Sequence, residues 1–462
     1  MRSFLPKMVL RSAAAFCIAP LLLSGCIKEL FQGETNVLRP EIIKVKGHTD
    51  NPKPPAKELC PVPEGPAGKQ ETPQQTGKPC PPVEQNLLPQ QLSPQSPEQL
   101  MPVLPPSPKL PEKPQSSIPV PPRPLAAAAA PAVSCGDSVL TEDVTWRGEV
   151  LVSGVVTVAP QATLTIGPGA VVRFAGPEGL LLVEGRVAAS GTPEKPILFT
   201  SRFAEPAGGD WRGIVLLGSE KKNLLENCRV EGAETGLDAS FSRVTLNNVS
   251  FARCTTGARL QDTVVAGNGG GASGCGVGMS LVDSDAELRD AVFSGNRWGV
   301  VAERGSLSLA GGAMTGNGSA GVKGANSRVK ISGGRFAANG TGLTLTACQG
   351  TVSGCSIAGN GECGLVLAGS RVKVHGNEIA KNGTFGLKVE DGTGAAWGNS
   401  FAANGGYDLY NAGAEDFRAM GNWWGGTPAA EVGKRIYDRD ADSGRGRVFY
   451  LPVLKERPAT IP

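Results

Sequence analysis

Gly321-Val-Lys-Gly-Ala-Asn-Ser-Arg-Val-Lys-Ile-Ser-Gly-Gly-Arg-Phe-Ala-Ala-Asn-Gly-Thr-Gly342 is one period of a repeat that runs through the second half of this 462-residue chain. Its first and last glycines belong to a column: Gly236, Gly257, Gly278, Gly299, Gly321, Gly342, Gly364 and Gly386, at intervals of 21 or 22, with Asp408 in the next place. An apolar residue usually follows each directly, and a second, small or apolar, stands two further on. That period-2 alternation is the mark of a strand with one buried face. Three or four residues ahead of the glycine stands Asn296, Asn317, Asn339, Asn360, Asn382 or Asn404, with Cys254 and Cys275 in the matching earlier places. A fixed period of this length means stacked structural units. Asparagine tolerates the left-handed conformation of a sharp corner, and stacked amides hydrogen-bond to one another, so this column reads as corner structure rather than as a row of ligands.

Within the quoted period there are three short strand-like pieces: Gly321-Val-Lys, Arg328-Val-Lys-Ile331 and Arg335-Phe-Ala-Ala338. Leucine-rich spacing, six-residue multiples and the nonapeptide calcium repeat are all missing. Three strands per coil predict an all-β, right-handed parallel β-helix of about 12–13 coils from Cys135, a rod on the order of 60 Å at ~4.8 Å per rung. Upstream, Leu151–Val158, Thr163–Phe174, Leu180–Val187 and Ile197–Thr200 are β-branched runs divided by Gly- and Pro-rich turns. Residues 135–235 therefore read as a cap and first coils, 236–426 as the regular repeats and 427–462 as the closing cap.

The chain ahead of the body divides in two. Arg2, Lys7 and Arg11 precede an apolar run and then Leu23-Ser24-Gly25-Cys26, which reads as a signal peptide over 1–25, its apolar run too short to span a membrane. Residues 26–134 hold Cys26 and a segment with 25 of the 37 prolines, predicting a disordered, partly extended tether. Leu-Ser-Gly-Cys after such a run resembles a bacterial lipoprotein signal. That resemblance implies cleavage before Cys26, lipidation there and, with Ile27 next, an outer-membrane lipoprotein facing the periplasm or the cell surface.

The blocks Phe293-Ser-Gly-Asn296, Ile357-Ala-Gly-Asn360 and Ile379-Ala-Lys-Asn382, the opening Ala162–Phe174 and Gly185–Ile197, and the closing Gly421-Asn-Trp-Trp-Gly425 resemble right-handed β-helix proteins of the pectate-lyase-like and NosD-like kind. The match covers about 135–455. It implies the fold more firmly than a function, because the fold hosts lyases, hydrolases, adhesins and binding proteins. Paired carboxylates for glycoside hydrolysis are not in evidence: aligned coils place Asp283 beside Arg304 and Asp285 beside Ser306. Asp438-Arg-Asp440-Ala-Asp442-Ser-Gly444 resembles the start of a calcium loop, but its glycine is one place late and Phe449 stands where glutamate belongs, so it reads as a cap turn.

With 45 basic against 42 acidic residues the net charge is +3, which carries no footprint for nucleic acid. Two histidines, His48 and His375, and no C-x-x-C call for no metal and no cofactor, and speak against copper-site assembly of the NosD type. Cys254 and Cys275 should lie on neighbouring coils, near enough for a disulfide or for plain stacking. Counting back from Phe336, Ile357 and Ile379 aligns Arg328, Gln349 and Arg371, with Lys330, Thr351 and Lys373 beside them, all pointing outward while Val329, Ile331, Val352, Val372 and Val374 point in. This basic stripe is the candidate binding face, for an anionic polysaccharide or an envelope protein. Trp298, Phe385 and Tyr407 share the place before the ladder residue and are candidate aromatic contacts for sugar rings. The expected function is a non-catalytic envelope lipoprotein that presents the rod as a scaffold. The alternatives are a polysaccharide lyase or glycoside hydrolase on the same fold, and the NosD-like role.

Overall fold

The computed structural model describes residues 123–127, 130–219 and 221–459. Cys26, the signal segment and nearly all of the proline-rich stretch lie outside the described residues. The folded body starts slightly before the composition change at Cys135: Val133–Cys135 pairs in parallel with the strand Glu149–Val152, and Arg123 forms an ion pair with Asp210.

Every strand of the body pairs in parallel with the strand one coil away. One stack, the ladder sheet, contains fourteen strands from Ser138–Leu140 to Ile436–Tyr437 and carries the glycine column. A second, the middle sheet, follows it in each coil, for example Arg328–Ser332, and a third, the short sheet, closes the coil, for example Arg335–Ala337. Three of the four upstream β-branched runs resolve into pairs of strands, as Thr163–Phe174 does into Thr163–Ile166 and Val171–Phe174 with a corner turn between them, while Ile197–Thr200 lies in the single strand Ile197–Ser201. Lys222–Glu231 and Arg243–Ala252 run through a corner without breaking, bent at Asn227 and Asn248 with φ of 47° and 51°. Those two continuous strands join the middle and short sheets into one hydrogen-bonded surface.

Inward side chains of the three sheets fill the rod. Along the short sheet the inward column runs Val230, Phe251, Ala272, Phe293, Met314, Phe336, Ile357, Ile379, Phe401, all buried. Ala272 between two phenylalanines gives their rings room at a rung spacing of about 4.8 Å.

The ladder residues play a different part from the one expected of them. None of the column glycines has a positive φ, and neither do the asparagines. The left-handed residue is the one just before each asparagine: Gly295, Gly316, Ala338, Gly359, Lys381 and Ala403. The glycines are required by the next coil instead. A Cβ on any of Gly236 through Gly386 would fall 2.3–2.7 Å from the carbonyl oxygen of the ladder residue one rung on. The column is a line of close backbone approach.

After the left-handed turn the asparagine side chain points inward and clamps two rungs together. In Asn317, Nδ2 donates to Asn339 Oδ1 (2.9 Å) and to Phe293 O (3.0 Å), while its backbone N–H donates to the same Oδ1 (3.0 Å). The pattern repeats from Asn296 to Asn404, and no side-chain amide in it lacks a partner. Asp408 ends the run by accepting from Asn404 Nδ2 (2.7 Å), and Arg435 neutralises its buried carboxylate at 3.0 Å. Two further ladders occupy the other corners. Cys355, Asn377, Asn399 and Asn422 link backbone N–H to amide oxygen at 2.9–3.0 Å. Ser242, Thr263, Ser284, Ser327, Cys348 and Ser370 form a looser hydroxyl version, as in Thr263 N–H to Ser284 Oγ at 3.1 Å.

The cap carboxylates are used by the cap. Asp438 accepts from the backbone N–H groups of Asp440 (3.0 Å) and Val448 (2.8 Å), and Asp442 accepts from Gly444 N–H and Arg445.

Candidate functional site: the basic face of the middle sheet

Alternation along the middle-sheet strands sends every second side chain to solvent. The pairing places Arg328 beside Gln349 and Gln349 beside Arg371, and Lys330 beside Thr351 and Thr351 beside Lys373, as the spacing predicts. The inward neighbours Val329, Ile331, Val352, Val372 and Val374 are buried, and Gly350 takes the sixth inward place, opposite Val329. Arg328, Lys330, Gln349, Arg371 and Lys373 are exposed, and Thr351 is half-buried.

The face extends beyond the stripe. Lys373 is followed on successive rungs by Ala395, Arg418 and Phe449. The lysine column thus presents a cation on alternate rungs, at Lys330, Lys373 and Arg418, about 10 Å apart at two rung spacings. Arg328 and Arg371 repeat that interval in the column beside it. Among the described residues none of these five cations has an ion-pair partner, whereas Arg304, Arg439 and Arg447 nearby are each paired to a carboxylate. Arg371 Nε donates only to Thr393 Oγ1, at 3.1 Å. From Ser306 to Arg418 the middle-sheet strands carry no acidic residue.

Two adjoining depressions, about 560 and 360 Å³, open at the N-terminal end of this face and share Ser306, Arg328 and Gln349. The small side chains of Ser306 and Ser308 on one rung and the bare Gly350 on another make the surface concave there. Asp285 and Arg304 border it. Asp285 Oδ1 accepts from Ser306 Oγ at 2.6 Å, and Arg304 is held by Asp283 at 3.0 Å and by Glu303. These contacts match the neighbours read from aligned coils, and they occupy both carboxylates with partners.

At the other edge of the face stands a feature the sequence reading left out. The outward column next to the lysines runs Ser332, Ser353, His375, Trp397. The His375 and Trp397 rings stack with centroids 5.0 Å apart, and Trp397 is 41% exposed. Extending the same alternation by one position would have found it.

Trp298, Phe385 and Tyr407 lie on the ladder sheet, not on the basic face, and they do not form one site. Trp298 stands four rungs from Phe385, with Ala320, Thr341 and Cys363 between them, and Lys323 Nζ lies 5.1 Å from its ring centroid. Phe385 and Tyr407 are neighbours at 6.4 Å and pack into a half-buried cluster with Tyr410 and Tyr437. Cys254 and Cys275 fall on adjacent rungs at one corner, both buried and both free thiols.

Residues 275–422 match the family described as right handed beta helix region, and residues 138–263 match the pectate-lyase like beta helix domain. The body is a pectate-lyase-like right-handed β-helix. Among solved structures the β-helix is similar to the A-module of the Azotobacter vinelandii mannuronan C-5 epimerase AlgE6, with 15% identity and a TM-score of 0.40, covering 67% of this chain and 90% of that one. It is also similar to the AlgE4 A-module from the same organism (16%, 0.41, 57% and 86%) and to the periplasmic alginate epimerase AlgG (13%, 0.31, 58% and 74%). At these values the likeness is one of fold and carries no argument about chemistry. No curated protein matches the sequence.

Proposed function

We propose that the middle-sheet face is a binding track for an acidic polysaccharide laid along the rod axis, and that the protein acts as a scaffold rather than as a catalyst. The observation behind this reading is the row of five unpartnered cations in two adjacent columns, with no carboxylate among them. A solvated sheet face usually mixes charge signs, and each lone cation left here gains a partner only when an anion arrives. Gln349, Thr351, Ser306 and Ser308 between and beside the cations suit sugar hydroxyls, and exposed Trp397 suits the apolar face of a pyranose. Asp283 and Asp285, at the N-terminal end of the track, are engaged by Arg304 and Ser306, and Asp440, beside Arg418, is paired with Arg447, which favours binding over proton transfer.

Titration calorimetry at low salt with uronic-acid oligomers and with neutral oligomers of equal length tests the reading. The acidic series should bind and the neutral series should not, with no unsaturated or new reducing ends released in either. Equal binding of both, or turnover, would reject it.

The N-terminal segment supports a further part of the proposal: export, lipidation at Cys26 and display of the rod from the outer membrane. Anchoring through more than one acyl chain is stable, whereas a single chain binds reversibly. Fatty-acid labelling of the wild-type chain should vanish in Cys26→Ala, and label that persists would refute the anchor.

A further inference from the structure

The amide ladder ends at Asn296, and the corner does not end with it. Cys275 and Cys254 occupy the same place on the two preceding rungs, each behind a left-handed residue, Gly274 at φ 64° and Arg253 at φ 52°. Cys275 N–H still donates to Asn296 Oδ1, at 2.9 Å. Between Cys254 and Cys275 no amide is available to repeat the clamp. The two buried thiols occupy that gap instead, one on each of the adjacent rungs. Their sulfurs point the same way, Cys254 Sγ 3.5 Å from Ala252 O and Cys275 Sγ 3.5 Å from Ser273 O. The rung spacing of about 4.8 Å lies inside the Cα separation of about 4.4–6.8 Å that a disulfide accepts. Among the described cysteines no other two share a corner place on neighbouring rungs.

We propose that Cys254 and Cys275 are an oxidation site, forming a disulfide across adjacent rungs that replaces the amide clamp where the asparagine ladder runs out. Oxidation begins when one thiol, such as Cys275, loses its proton. Its thiolate attacks a small-molecule or protein disulfide and expels one thiolate of that reagent. Cys254, on losing its proton, then attacks Sγ of Cys275 in the mixed disulfide and releases the second. Two thiol protons and two electrons leave the protein, and one external disulfide becomes two thiols. At 3% and 4% exposure both sulfurs react while the corner is still forming or when it opens.

The test uses the full chain, unfolded and refolded in a glutathione redox buffer or in excess reductant. Free thiols are then alkylated under denaturing conditions and the peptides are mapped by mass spectrometry. A peptide joining Cys254 to Cys275 is expected from the oxidised sample only, with Cys228 and Cys355, which have no cysteine in the matching place on a neighbouring rung, recovered alkylated. The oxidised protein should melt several degrees above the reduced one. Cys254→Asn with Cys275→Asn, which continues the amide ladder, should remove that redox dependence. Recovery of both residues as alkylated thiols after oxidation, or linkage of either mainly to another cysteine, would overturn the proposal.

Discussion

Asn339→Leu is expected to destabilise the β-helix by about 4 kcal/mol, at about 1–3 kcal/mol for each buried polar group left without a partner. Asn339 Oδ1 accepts from the backbone N–H of Asn317 (3.0 Å) and from its Nδ2 (2.9 Å), and its own Nδ2 donates to Met314 O (2.9 Å). Leucine fills a similar volume and satisfies none of these. All the groups left behind are buried, so water cannot substitute. A stack of coils holds together through nearest-neighbour interfaces, so the lesion should also weaken coupling between the coils on either side. Chemical unfolding is the measurement: a lower midpoint, and a second transition as the two halves separate. A loss under about 1 kcal/mol would mean the amides are incidental to the fold.

Charge reversal on the track is the second large effect. Arg328→Glu, Lys330→Glu, Arg371→Glu and Lys373→Glu together should weaken binding of an acidic polysaccharide on the order of 100-fold, from about 0.2–1 kcal/mol lost at each exposed pair plus repulsion of similar size. The four side chains are outward and free of protein ion pairs, so the rod itself should fold and melt as before. Wild-type affinity should fall steeply with added salt, because charges beyond about 8 Å are screened at physiological ionic strength. Unchanged binding by the reversed variant would remove the track from the account. Reversing Lys323 and Lys388, on the ladder sheet, is the matched control.

The architecture was legible because the repeat recurs at every coil, and because alternation fixes which side chains share a face. The same rule placed Arg328, Lys330, Arg371 and Lys373 in register. What was not legible depended on contacts one rung away. A glycine column looks the same whether it serves a left-handed φ or a close backbone approach, and only the carbonyl of the next coil distinguishes them. The left-handed positions themselves are held by Ala338, Lys381 and Ala403 as readily as by glycine, so composition gives little sign of them. The serine and threonine ladder is masked by how common those residues are on outward faces too. Arg418 joins the track although the coil lengthens between Trp397 and Phe417, a shift that counting by a fixed period does not follow. Trp298, Phe385 and Tyr407 share a column in sequence, yet a column is not a site when three rungs lie between two of its members.

Lysine footprinting reads out which face of the rod an acidic oligosaccharide covers. Acetylation rates at Lys330 and Lys373 are compared with those at Lys323 and Lys381, which lie off the middle-sheet face, with and without a saturating acidic oligosaccharide. Lys330 and Lys373 should be protected together, with little change at Lys323 and Lys381, and the protection should be lost at raised salt. Protection confined to the other lysines, or equal at all four, would contradict a track on the middle sheet.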